Sequence, residues 1–216
     1  MSRVKFYWES RGEHYQFDSR KKYLIYYRGC FGPPHRGHFN TIADFVYLEN
    51  ANFFIHQGGN SRRHGVPYDL SRKIWKIYIK ELLPKDKFFL MGRGSHEESD
   101  MVEHPYVKEA ETIVFIAGNE NYVPKDKELE DITIKYREIF NKLLRRKKEI
   151  VFLYLDRPQQ SILSATKLCQ SIRNGDDIIS RRDQKNIENL RNYFPEGLPD
   201  SAVRYIVRKL RYCDLH

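Results

Sequence analysis

Tyr23-Leu-Ile-Tyr-Tyr-Arg-Gly-Cys-Phe-Gly-Pro-Pro-His35-Arg-Gly-His38-Phe-Asn-Thr-Ile-Ala-Asp-Phe45 is the stretch whose reading decides the fold. Its first residues form an apolar, aromatic run suited to a buried strand. The chain then turns through Gly29, Gly32, Pro33 and Pro34 and enters a helix near Arg36. Two histidines three residues apart in its first turn share one helix face, so both imidazoles can meet one ligand. A helix start also offers backbone N–H groups and a partial positive charge, and both favour phosphate. Strand, glycine turn and histidine-bearing helix start therefore read as a site for a phosphorylated molecule.

Outward from this stretch the same pattern repeats. Ala51–His56, Phe88–Met91, Thr112–Ala117 and Glu149–Leu155 read as apolar strands. Between them lie a helix from about Tyr68, with Leu70, Ile74, Ile77 and Tyr78 on one face, and another from about Asp126 to Arg146. Strands alternating with amphipathic helices specify an α/β fold: a Rossmann-like parallel sheet with helices on both faces. In such sheets ligands bind beyond the carboxyl ends of the strands. The histidine turn, the basic glycine-rich loop with Arg62 and Arg63, and Gly118-Asn119 all follow strand ends, and Arg72 follows on the next helix.

A second phosphate candidate is Leu163-Ser-Ala-Thr-Lys-Leu-Cys-Gln-Ser-Ile-Arg-Asn-Gly175. Ser164 suits the N-cap, with Leu168 and Ile172 facing the core. Thr166 and Lys167 then occupy the first turn, where hydroxyl, amide and ammonium groups can hold a phosphate chain. Residues 92 to 108 are polar and carry His96, Glu97, Glu98, Asp100, Glu103 and His104 without a standard metal-ligand spacing, so they read as a solvated loop or lid. Alternation of Val4, Phe6 and Trp8, and of Tyr15 and Phe17, reads as an N-terminal β-hairpin appendage over residues 1–22. Residues 23–175 then form the core. A helical extension over 176–216 carries one helix from Arg181 to Phe194 and another from Asp200 with Val203, Ile206, Val207 and Leu210 inward.

The 216 residues can bury one real core, and with 40% hydrophobic and 31% charged residues the chain reads as soluble and globular. No apolar run approaches the roughly 20 residues of a membrane span. The charged start of the chain lacks an apolar signal core. Cys30, Cys169 and Cys213 have no metal-ligand spacing, and three cysteines fit a reducing, cytoplasmic setting. A net charge of +9 suits a nucleic-acid partner or an enzyme with polyanionic ligands. No RNA-binding signature is present, so nucleic acid is a compatible but unfavoured partner. Self-association is left open.

Gly29-Cys-Phe-Gly-Pro-Pro-His-Arg-Gly-His38 resembles the G-x-F-x-P-x-H-x-G-H motif of the HxGH nucleotidyltransferase superfamily, which includes nicotinamide and nicotinate mononucleotide adenylyltransferases and cholinephosphate-type cytidylyltransferases. Ser164-Ala-Thr-Lys-Leu168, roughly 125 residues on, resembles its I-S-S-T-x-I-R motif, with Cys169 where that motif has Arg. Gly197-Leu-Pro-Asp-Ser-Ala-Val-Arg-Tyr-Ile206 is similar to the segment closing bacterial nicotinate mononucleotide adenylyltransferases.

The resemblance implies transfer of a nucleoside monophosphate, AMP from ATP first, to a small phosphorylated acceptor such as nicotinate or nicotinamide mononucleotide, with Mg2+ and release of pyrophosphate. It implies His35, His38 and Lys167 as catalytic residues. Gly29, Cys30, Phe31, Gly37, Gly118, Asn119, Ser164 and Thr166 would surround the nucleotide. Arg62, Arg63 and Arg72 would meet the acceptor phosphate, since guanidinium pairs with phosphate oxygens. The competing readings are a cytidylyltransferase acting on a cholinephosphate-like acceptor and a nucleotide- or RNA-binding protein that kept the fold and lost the chemistry.

Overall fold

The computed structural model describes residues 4–29, 31–57, 65–91, 101–118, 137–155, 164–173 and 183–213. Six strands, β1 (Val4–Trp8), β2 (Tyr23–Gly29), β3 (Ala51–Gln57), β4 (Phe88–Met91), β5 (Thr112–Gly118) and β6 (Glu149–Leu155), form one sheet in the order β1-β6-β5-β2-β3-β4. β1, β6, β5 and β2 run parallel, with Tyr23 opposite Thr112 and Thr112 opposite Glu149. The helices are α1 (Arg36–Ala43), α2 (Tyr68–Leu82), α3 (Pro105–Glu109), α4 (Arg137–Arg145), α5 (Ala165–Arg173), α6 (Asp183–Arg191) and α7 (Asp200–Arg211). Tyr23 to Tyr27 are buried without interruption, as a strand covered on both faces requires. The α/β fold expected from the alternation is the fold observed. No helix among the described residues is long and apolar enough to cross a membrane.

The chain forms two compact units, each assembled from three stretches. The first comprises residues 1–28, 48–56 and 91–158, the second 29–47, 57–90 and 159–216. The core of the first unit gathers Leu24, Tyr26, Phe54, Ile113, Phe115, Leu143, Ile150 and Phe152. In the second unit the interior is built from Phe31, Ile42, Ile74, Trp75, Tyr78, Leu168, Phe194 and Val203, all at most 1% exposed.

Four expectations are corrected. The N-terminal hairpin does not form. β1 instead joins the main sheet as a parallel edge strand, Val4 opposite Ile150 and Trp8 opposite Tyr154. Its aromatics stack on their opposite numbers, Phe6 on Phe152 at 4.9 Å and Trp8 on Tyr154 at 5.2 Å. Lys5 and Lys21 meet the Glu149 carboxylate at 2.6 and 3.0 Å, and the Thr112 hydroxyl donates to it at 3.1 Å. Tyr15 and Phe17 pack edge-on around Tyr23 rather than pairing as a strand. Second, α2 buries Tyr68, Ser71, Ile74, Trp75 and Tyr78, leaving Leu70 and Ile77 half-buried. Third, the polar loop is not solvated throughout: Met101 and Val102 are buried and α3 follows with Val107 buried, whereas residues 92–100 lie outside the described residues. α6 is also shorter than expected, with Tyr193 beyond its end. The part of the expected 126–146 helix before Arg137 lies outside the described residues.

One buried pair in the first unit makes stability depend on pH. Tyr26 Oη and His56 Nδ1 are joined by a hydrogen bond between β2 and β3. Burial, reinforced by the Arg28 charge, pushes the His56 imidazole down to about 4. The unfolded chain then binds a proton below about pH 6.5 that the folded chain refuses, so this group's contribution to stability is lost as pH falls from about 6.5 toward 4. The expected slope is up to about 1.4 kcal/mol per pH unit. Urea unfolding at pH 7 and 4.5 should show a steeper loss for the native chain than for His56→Gln. Equal slopes would contradict the assignment.

Candidate functional site

β2 delivers the chain to the histidine turn at Gly29. A Cβ built on Gly29 would lie 2.5 Å from Phe31 Cε1, so the residue must be glycine for Phe31 to fold back as it does. Phe31 is 1% exposed and sits edge-on to Trp75 at 5.2 Å and to His38 at 5.1 Å. Beyond it the Gly32–Pro33 peptide is cis, and the Pro34 carbonyl accepts a 3.1 Å hydrogen bond from the hydroxyl of fully buried Tyr78. Burial pushes that phenol far above its ordinary value, so it stays protonated and keeps donating.

The two histidines cap their own helix. His35 has extended φ and ψ and is the N-cap of α1, and its Nδ1 accepts from the Gly37 N–H at 3.1 Å. The Nδ1 of His38, at N3, accepts from the His35 N–H at 3.4 Å. This is a capping box built from two imidazoles in place of the usual Ser/Thr and Glu/Gln. A neutral imidazole whose Nδ1 accepts carries its proton on Nε2. Each ring therefore presents an Nε2–H donor, with the ring centroids 3.9 Å apart. His35 is 3% exposed and His38 half-buried. The amides expected to be free at this helix start are engaged: Gly37 N–H donates to His35, and Arg36 N–H to the Tyr193 carbonyl at 2.7 Å. These two amides are therefore partnered within the chain.

The second motif behaves as a capped helix start. The Lys167 N–H donates to Ser164 Oγ at 3.1 Å, and the Thr166 and Lys167 side chains are exposed in the first turn of α5. Cys169, where the resembling motif has Arg, points into the interior beside Leu168 and Ile172. Burial pushes its thiol up to about 11, so it is a neutral packing residue. Tyr193 bonds to elements of both motifs. Its carbonyl accepts from Arg36 at the start of α1, and its hydroxyl hydrogen-bonds Ser171 of α5 at 3.3 Å. Arg36 also meets Glu196 at 3.5 Å. Sequence periodicity marks Tyr193 only as a helix-face aromatic, so this tie was not legible in advance. Tyr193→Phe keeps the carbonyl contact and deletes the hydroxyl one. It should cost about 0.5–1.5 kcal/mol of unfolding free energy, read by urea denaturation.

The remaining residues divide as follows. Gly37 lies in the first turn of α1. Gly118 ends β5 opposite Leu155. Arg72 is half-buried and donates from Nη2 to the Leu90 carbonyl at 3.2 Å. Cys30, Arg62, Arg63 and Asn119 lie outside the described residues. No group of three or more metal-ligating side chains occurs among the described residues. Glu103 pairs with Lys108 at 3.3 Å and with Arg146, and His104 Nδ1 caps α3 by accepting from Tyr106 N–H at 3.2 Å.

No protein-family model and no curated protein matches the chain. Among solved structures it is similar to a protein assigned as a nicotinate-nucleotide adenylyltransferase from Vibrio parahaemolyticus. The identity is 14% and the TM-score 0.49, over 88% of this chain and 96% of that one. It is also similar to the Plasmodium falciparum nicotinic acid mononucleotide adenylyltransferase complexed with NaAD, at 13% identity and TM-score 0.47, over 87% and 96% of the two chains. The same protein complexed with APC gives 13% identity and TM-score 0.46 over the same shares.

Proposed function

We propose that this chain is a nucleotidyltransferase that moves AMP from ATP to a small phosphorylated acceptor, nicotinate or nicotinamide mononucleotide first, and releases pyrophosphate. The observation that carries the reading is the reciprocal histidine cap, which holds two Nε2–H donors side by side at the end of a parallel strand. In the reaction an acceptor phosphate oxygen attacks the α-phosphorus of ATP. The bond to the β-phosphate bridging oxygen breaks, and its electron pair leaves with pyrophosphate. Charge shifts onto phosphate oxygens without any covalent bond to the protein, so catalysis is positioning plus charge stabilisation. His35 and His38 donate to those oxygens. Lys167, Thr166 and Ser164 at the start of α5 hold the leaving phosphates. This donor set of imidazole N–H, hydroxyls and ammonium fits phosphate oxygens, and Mg2+ bound together with the triphosphate would supply charge neutralisation there.

The test is direct. The protein is incubated with Mg2+, each nucleoside triphosphate and a panel of phosphorylated acceptors, and pyrophosphate release is measured. Release with ATP and a pyridine mononucleotide supports the reading. Release only with CTP and a cholinephosphate-like acceptor moves it to the cytidylyltransferase alternative, and no release from any pairing overturns it.

A further inference from the structure

The net charge of +9 is distributed unequally. The second unit carries 19 basic and 11 acidic residues, and so holds +8 of the total, whereas the first carries 19 and 18. Within the second unit α7 separates its faces sharply. Val203, Ile206, Val207 and Leu210 are at most 2% exposed. The outer face presents Arg204, Tyr205, Arg208, Lys209 and Tyr212, all exposed. Tyr205 is 43% and Tyr212 73% exposed, and Lys209 lies over the Tyr205 ring at 5.7 Å. At i, i+4 and i+7 spacing, Tyr205 and Lys209 on α7 and Tyr212 at its C-cap form one stripe, about 10 Å long along the helix axis. The acid of α7, Asp200, stands in its first turn and meets Arg191 at 3.6 Å, away from this stripe.

We infer that the outer face of α7 is a docking surface for single-stranded nucleic acid. Basic side chains neutralise backbone phosphates, and exposed aromatic rings between them stack on bases without demanding sequence. An anionic membrane fits less well. An interfacial helix must submerge an apolar face, and that of α7 is consumed by the interior. The inference does not rest on the proposed transfer activity, since it uses no residue of the histidine turn or of the α5 start.

The full chain is titrated into a 5′-labelled 20-nucleotide oligouridylate at 50 mM salt and followed by fluorescence anisotropy. Binding should weaken log-linearly with added salt. Arg208→Glu/Lys209→Glu should weaken it at least about 10-fold, and Tyr205→Ala/Tyr212→Ala at least about 5-fold, given the value of a base–aromatic stack. Lys142→Glu/Arg145→Glu, exposed on α4 of the first unit, makes the same change in net charge and should cost under about 3-fold. Pyrophosphate release by the α7 variants should match the native chain, so failure here is distinguishable from failure of the transfer reading. Absence of oligouridylate binding, equal losses from the α4 control, or tighter binding to phosphatidylserine vesicles through the same face would each overturn the inference.

Discussion

Pyrophosphate release by His38→Ala is expected to fall about 100- to 1000-fold, the usual cost of removing one preorganised transition-state donor. The turn has an internal control for this claim. His38 has two jobs on two nitrogens: Nδ1 accepts the His35 N–H, and Nε2 carries the ring's proton and is the donor assigned to the phosphate. Losing the capping contact alone should cost about 1 kcal/mol of stability. Unfolding free energy and rate should therefore separate, with the rate effect exceeding anything the fraction unfolded can explain. His35→Ala should do the same through the Gly37 N–H. Because the rings are 3.9 Å apart and each helps to hold the other, the double variant should lose less than the product of the single losses. Full activity in His38→Ala with a native fold would remove the histidines from the chemistry.

How much of this could be read beforehand differs from element to element. β2 was legible because a parallel strand covered on both faces is a continuous apolar run, and α1 and α5 because their starts carry turn and cap residues. β1 was misread for a physical reason. Alternating Val4, Phe6 and Trp8 looks the same whether the partner strand lies ten residues on or, as here, in β6. On α2, the stripes Leu70/Ile74/Ile77/Tyr78 and Ser71/Ile74/Trp75/Tyr78 are both helical. The structure buries the second, with Trp75 against Phe31. At the site, the identity of the histidines was legible and their capping role was not, since capping signals are sought among Ser, Thr, Asp and Asn. Tyr193 was invisible as a tie because one of its two bonds uses a backbone carbonyl, which no side-chain pattern encodes.

Phe31→Ala should be the most destabilising single change in the turn, at about 3–5 kcal/mol. The ring is 1% exposed and fills the space between Trp75 and His38, so its removal leaves a cavity beneath the histidine rather than a surface notch. Phe31→Leu should cost less, about 1–2 kcal/mol, by refilling part of the volume. Gly29 gives this argument a sharper test. Its absent side chain is what lets the Phe31 ring approach, so Gly29→Ala must push Cε1 away from a 2.5 Å encounter and should cost about 1–3 kcal/mol. Leucine at position 31 lacks Cε1 and Cζ, the two atoms that a Gly29 Cβ would meet at 2.5 and 2.8 Å. The double variant Gly29→Ala/Phe31→Leu should therefore be more stable than the sum of its parts, with a coupling of about 0.5–3 kcal/mol from urea unfolding. Additive losses would mean that the glycine is there for another reason, such as close approach of a nucleotide to the backbone, and that Phe31 is ordinary core.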